Sequence, residues 1–217
     1  MGDTEPEHLL VGQEGATVLN ELPREASHRK RSSGFNLIEL MVTLTLLGIL
    51  VALGLPSFTA WIRNQQIRSV TESLQVGLRM AQTESIRRNR TVVLSFTNAA
   101  PALGAAAVAG GKNWSLETVP QFGEAAGEYI TGGALSDVAS GVAIDATPAA
   151  AAICFNSNGR VITNSGKGCA AANLVFDVTQ ANADRPLRLI LQVGGQLRMC
   201  DPHRPVLSSA TPDGCPA

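Results

Sequence analysis

Residues 31–50 read RSSGFNLIELMVTLTLLGIL, and they decide the fold because one carboxylate, Glu39, stands near the start of a run otherwise apolar enough for hydrocarbon. A charge at the centre of a bilayer costs about 2.5 to 3.5 kcal/mol on insertion scales, so Glu39 requires a compensating group. After it, Leu40 to Ile62 are 23 residues without a formal charge. As a helix they span about 34 Å, against a hydrocarbon core of about 30 Å. His28, Arg29, Lys30 and Arg31 lie just before the run, and the positive-inside rule keeps that end cytoplasmic and sends the remainder across.

Two plainer readings compete. A secretory signal peptide would use the same basic segment, an apolar region near Leu40 to Val51 and a small-residue cut at Ala52-Leu53-Gly54; an uncleaved signal anchor needs only the span. Both leave Glu39 unexplained, and the helical pattern continues past the supposed cut instead of breaking into a loop.

The bulk composition agrees with a membrane anchor plus one globular domain: 217 residues, 45% apolar, 4% aromatic, net charge −1. This is not the charge of a strongly basic nucleic-acid protein. Residues 1–34 hold six acidic and four basic residues, leaving 13 basic and 12 acidic for the rest, a net charge of +1. The four cysteines, Cys154, Cys169, Cys200 and Cys215, lie in the last third, without the C-x-x-C spacing or nearby histidines of a zinc site. They read as two disulfides in an oxidising compartment, outside the cytoplasm. Sequence alone permits three pairings; Cys154 with Cys169 and Cys200 with Cys215 is favoured because each closes a short loop.

Past Trp61 the helical pattern becomes one-sided. Ile67, Val70, Leu74, Leu78 and Ala81 recur at spacings of three and four, with Arg63, Arg68, Glu72 and Arg79 between them. Pro56 removes one helical hydrogen bond and should bend or loosen the helix. Arg87, Arg88 and Arg90 close it with cations that favour a helix C-terminus. Strand character follows at Thr91–Phe96, Trp114–Thr118, Val142–Ile144, Ala152–Phe155, Asn173–Val178, Leu187–Gln192 and Gln196–Cys200. Asn158-Gly159 and Gly194-Gly195 join neighbouring runs as hairpin turns. The Ala/Gly tract from Ala99 to Gly111 lacks periodicity and bulk and reads as a mobile surface loop. A long helix whose later half packs on an antiparallel sheet is an α+β domain.

Gly34-Phe35, Glu39 four residues on, and an apolar helix containing Pro56 together resemble the N-terminal signature of type IV pilins and pseudopilins. Downstream, CFNSNGRV (154–161), LVFDV (174–178) and LRLILQVGGQLRMCDP (187–202) are similar to the C-terminal half of the GspH/FimT/FimU group. The resemblance implies a leader over 1–34, a membrane-spanning and filament-core helix over 35–62, and a periplasmic domain over 63–217, with an amphipathic helix at 63–90 and a β-sheet at 91–217. It implies a prepilin peptidase that cuts after Gly34 and methylates Phe35, Pro56 as the helix-kinking position, and other pilins as partners through the N-terminal helix. It also implies a single-pass inner-membrane protein destined for a pilus or pseudopilus. Glu39 would then pair with the Phe35 amine of a neighbouring subunit and fix the axial register.

No enzyme signature is present, and no cofactor or metal is expected. The histidines are His8, His28 and His203, and the first two would leave with the leader, so no catalytic triad or multi-histidine metal set survives. Gly194-Gly195 lacks the strand, helix and acidic partner of a dinucleotide site. Two function classes remain. One is a structural subunit that assembles into or primes a type IV pilus, with the pseudopilus of type II secretion as its alternative. The other is a DNA-binding subunit at a pilus tip. In the FimT branch associated with DNA uptake a Gly-Arg-x-Arg motif lies near the C-terminus; here Gly195, Gln196, Leu197 and Arg198 match it without the first arginine. Arg185, Arg188, Arg198 and Arg204, with Lys167, are the candidate phosphate-binding cations.

Overall fold

The computed structural model describes residues 34–138 and 140–216; the leader expected over 1–34 therefore lies, apart from Gly34, outside the described residues. The chain falls into two units, Met1–Thr45 and Leu46–Ala217. Helix α1, Leu37–Arg88, begins in the first and ends in the second. Its backbone is helical on both sides of Pro56 and through it.

Within the second unit α1 stops at a defined cap. Asn89 adopts φ 50°, its N–H donates to Ile86 O at 3.1 Å and the Arg90 N–H donates to Ser85 O at 3.1 Å. This is the paired-bond C-terminal motif in which a left-handed residue, here asparagine in place of the usual glycine, satisfies the last free carbonyls. The chain then forms β1 Val92–Thr97, β2 Asn113–Thr118, β3 Tyr129–Ala134, a short α2 Leu135–Val138, β4 Val142–Thr147, β5 Ala152–Phe155 and β6 Val161–Ile162. A 3-10 turn at Ser165–Lys167, β7 Leu174–Gln180, β8 Leu187–Leu191 and β9 Leu197–Cys200 complete it.

The sequence leads to one antiparallel sheet; the described strands form two. One has the order β3-β2-β1-β5-β6 and the other β4-β7-β8-β9, all pairs antiparallel. The α1 stripe Ile67, Val70, Leu74, Leu78 and Ala81 is at most 1% exposed and packs with inward residues of both sheets. From β7 these are Leu174, Phe176 and Val178, alternating as a half-buried strand requires. Phe96 of β1 and Phe176 of β7 meet with ring centroids 5.9 Å apart, so the two sheets share one core. Burying each large aliphatic side chain of the stripe stabilises the fold by about 1.5 to 3 kcal/mol.

The tips of the two sheets converge on one helical side chain. Gln82 Nε2 donates to Gly159 O at 2.9 Å, in the β5–β6 turn, and to Gly195 O at 3.2 Å, in the β8–β9 turn. The Val161 N–H also donates to Val193 O at 2.9 Å, tying the two hairpins directly. The two glycine turns that read as hairpin signals therefore also dock the sheets onto α1.

Strand β3 has no clear sequence signal. Its Gly132 and Gly133 are poor strand formers, but a side chain at Gly133 would collide with the Trp114 ring, which is also tight against Gly77 of α1. The glycines are where a buried tryptophan needs space. The tract Ala99–Gly111 is irregular, as expected of a loop, and is tied down where the Gly104 N–H donates to Glu117 Oε2 at 2.7 Å.

Candidate functional site

In the first unit, the described residues 34–45 are all exposed. Phe35 is 78% exposed, and α1 starts two residues later, placing Glu39 in its first turn. A carboxylate there gains about 0.3 to 1 kcal/mol from the helix macrodipole, far less than its transfer into hydrocarbon costs. The two threonine hydroxyls of this stretch are satisfied locally: Thr43 Oγ1 donates to Leu40 O at 2.9 Å and Thr45 Oγ1 to Val42 O at 2.8 Å. Glu39 has no hydrogen bond or ion pair among the described residues. Further along, Leu46, Leu50, Leu53, Leu55, Phe58 and Trp61 are each more than half exposed. By length and composition α1 is apolar enough to cross a membrane. Its surface there is unlike the single buried stripe of residues 67–81.

The cysteines are joined as Cys154–Cys169 and Cys200–Cys215. Cys154 and Cys169 form a small cluster with Val93 and Ala152, apart from the main core, and close the loop after β6 over the first sheet. Cys200 ends β9, and its bond holds the tail; the Asp201 N–H donates to Asp213 O at 2.8 Å and the Leu207 N–H to Cys215 O at 3.0 Å.

The candidate phosphate-binding cations are largely neutralised. Arg188 makes two bonds to Asp177 across β7–β8, at 2.7 and 3.1 Å, and that carboxylate raises its already high pKa. Arg204 pairs with Asp213 at 3.3 Å, and Arg198 donates to Pro212 O at 3.4 Å. Lys167 pairs at 2.6 Å with the buried Glu117 of β2, in the other sheet. The register puts Arg188 and Arg198 on the outer face of the second sheet, away from the buried Leu189 and Leu191. Arg185 lies in the β7–β8 turn, where its N–H donates to Asn64 Oδ1 at 3.1 Å.

The cations closing α1 pair with carboxylates. Glu84 accepts from Arg87 at 2.6 Å and from Arg88 at 2.7 Å, Arg88 also reaches Glu128 at 2.5 Å, and Arg90 pairs with Glu124. Hydrogen bonds from Arg87 and then Arg88 hold the Glu84 carboxyl down from 4.5 to about 2. The network fixes the segment between β2 and β3 onto the helix end. Sequence order gave no sign of it, because Glu124 and Glu128 lie more than thirty residues from their partners.

Among the described residues no group of three or more histidine, cysteine, aspartate or glutamate side chains is placed to hold a metal.

The family profile described as type II transport protein GspH matches residues 70–195, and that of the prokaryotic N-terminal methylation motif matches residues 29–55. Among solved structures, the type IV minor pilin FimU of Pseudomonas aeruginosa PAO1 is similar at 19% identity, over 71% of this chain and 98% of that one, with a TM-score of 0.45. The minor pseudopilin EpsH from the type 2 secretion system of Vibrio cholerae is similar at 14% identity, over 63% of this chain and 96% of that one, TM-score 0.41. Escherichia coli GspH is similar at 11% identity, over 65% and 94%, TM-score 0.43. No curated protein matches. With more than half of its length matched, and the methylation motif ahead of that match, the chain belongs to the family described as type II transport protein GspH.

Proposed function

We propose that a prepilin peptidase cuts this chain after Gly34 and methylates Phe35, and that the mature protein waits in the inner membrane before joining a filament of pilins through its N-terminal helix. Its cytoplasmic side is the basic end before the span, and residues 63–217 lie in the periplasm, where the two disulfides are stable. The protein assembles and does not catalyse.

One observation carries the reading: Glu39 is unpaired among the described residues, in the first turn of a helix with apolar side chains exposed around it. In a filament of such helices the positively charged amine of a neighbour's Phe35 is the partner this carboxylate needs, and methylation keeps the charge. Removing one member of a buried ion pair costs about 3 to 5 kcal/mol, so registers that leave Glu39 alone are rejected. Glu39→Ala subunits should be processed and inserted normally but recruited into filaments at a small fraction of the normal level. Recruitment at wild-type level would remove the register role.

Within the family, we place the protein as a FimT/FimU-like minor pilin that primes or caps a type IV pilus. The second reading, a pseudopilin of type II secretion, is supported by the description of the matching family. Deleting the gene separates them: loss of surface pili supports the first, loss of protein secretion with intact pili the second. A DNA-binding tip subunit is disfavoured, because Arg188, Arg204 and Lys167 each face a carboxylate. Absence of a gel shift at low salt is expected; binding that weakens steeply with added salt would revive that reading.

A further inference from the structure

We propose that a groove beside the end of the apolar run binds a phospholipid headgroup carrying both a phosphate and a primary ammonium; the inference rests on the membrane-span reading above. The groove has a volume of about 330 Å³, within the roughly 300 to 1,000 Å³ typical of ligand sites. Asn64, Gln65 and Arg68 of α1 line it together with Arg185, Asp201 and Asp213.

Three observations point to a lipid. The first is position: Asn64, Gln65 and Arg68 follow Trp61 by one to two turns on one face of α1. Trp61 and Phe58, each 57% exposed, stack with ring centroids 5.9 Å apart, and such aromatics settle at the level of lipid headgroups. The second is rigidity. Asn64 Oδ1 accepts the N–H groups of Asp184 and Arg185, both at 3.1 Å, and Arg63 donates to Asn182 O at 3.3 Å, so the β7–β8 turn is pinned to the helix just past the apolar run. The third is charge. Arg185 has no carboxylate partner among the described residues, and the Arg68 pair with Glu72 is exposed on both sides. In the same groove the Asp213 carboxylate holds Arg204 at 3.3 Å and the Asp201 carboxylate accepts the His203 N–H at 2.9 Å.

The arginines suit a phosphate and the aspartates a donor cation beside it. A purely anionic headgroup would meet the two carboxylates, and a quaternary ammonium has no N–H to donate to them. Phosphatidylethanolamine carries both groups, and its acyl chains would descend past Trp61 and Phe58.

The test uses the full processed chain in vesicles of phosphatidylcholine containing either phosphatidylethanolamine or phosphatidylglycerol. Flotation reports insertion, and native mass spectrometry after gentle extraction reports the lipid retained. Phosphatidylethanolamine should be retained roughly tenfold over either other lipid, and Arg185→Gln and Asp213→Asn should each lower that preference to near parity with unchanged thermal melts. Equal retention of the three lipids, preference for phosphatidylglycerol, unchanged preference in both variants, or a second copy of the chain cross-linked into the groove would each overturn the proposal. Failure to float would instead remove the membrane reading, and the lipid site with it.

Discussion

The paired glycines of the β8–β9 turn make opposite demands, and substituting each with alanine tests how the sheets are held to the helix. Gly195 has φ +89°, and a Cβ there would lie 2.3 Å from Gln82 Nε2 and 2.3 Å from Gly159 O; a Cβ at Gly194 meets nothing within 4 Å. The left-handed backbone alone costs alanine about 1 to 2 kcal/mol. Displacing Gln82 removes its bonds to Gly159 O and Gly195 O, at about 1 kcal/mol each. The Gly159 carbonyl is backbone in a tight turn and cannot rotate aside. Gly195→Ala should therefore destabilise the domain by about 3 to 4 kcal/mol, or roughly 6 to 16 °C in melting temperature for a domain of this size, whereas Gly194→Ala stays within about 0.5 kcal/mol. Urea titration and thermal melts followed by circular dichroism measure both. Adding Gln82→Ala to Gly195→Ala should cost little more, because those two bonds are already lost. Equal stability of the two single variants would refute the claim that this turn docks the sheets onto α1.

Acid should weaken the same C-terminal end of the helix, two residues past Gln82. The Glu84 carboxyl is lowered from 4.5 to about 2, so its contribution is complete above 4.5 and is lost as pH falls from there toward 2. That contribution is about 2 to 3 kcal/mol, and Glu84→Gln should remove this part of the pH dependence in melts at stepped pH. Each disulfide closes a sequence separation of 15, and replacing both members of either pair with serine should cost about 3 kcal/mol, read as a lower urea midpoint under non-reducing conditions. Among the apolar positions, Leu74→Ala should cost about 2 to 5 kcal/mol because Leu74 is fully buried between α1 and the sheets.

What was legible in the sequence was whatever depends on near neighbours. The stripe Ile67, Val70, Leu74, Leu78 and Ala81 follows the helical period, and the structure buries each of them. Strand β5 appears at the expected residues and β1, β2, β7, β8 and β9 within one or two of them, because alternation and turn glycines are local signals. Strand β3 carries no such local signal, because Gly132 and Gly133 are dictated by Trp114 on the neighbouring strand. The division into two sheets depends on which strands pair, and hydrophobic pattern does not encode that. At the cation cluster the residue types were legible and their partners were not: Asp177 lies 11 residues from Arg188, and Glu117 lies 50 from Lys167. The Glu39 signal is local, an acid in an apolar run, and its carboxylate has no partner among the described residues.

In the proposed function one cut frees the apolar helix so that its new amine can neutralise a neighbour's Glu39. Its most direct test is the intact mass and N-terminal residue of the protein extracted from the membranes of its native host. The expected chain begins at Phe35 and carries an N-methyl group. A chain beginning near Gly54, or one retaining residues 1–34, would contradict it.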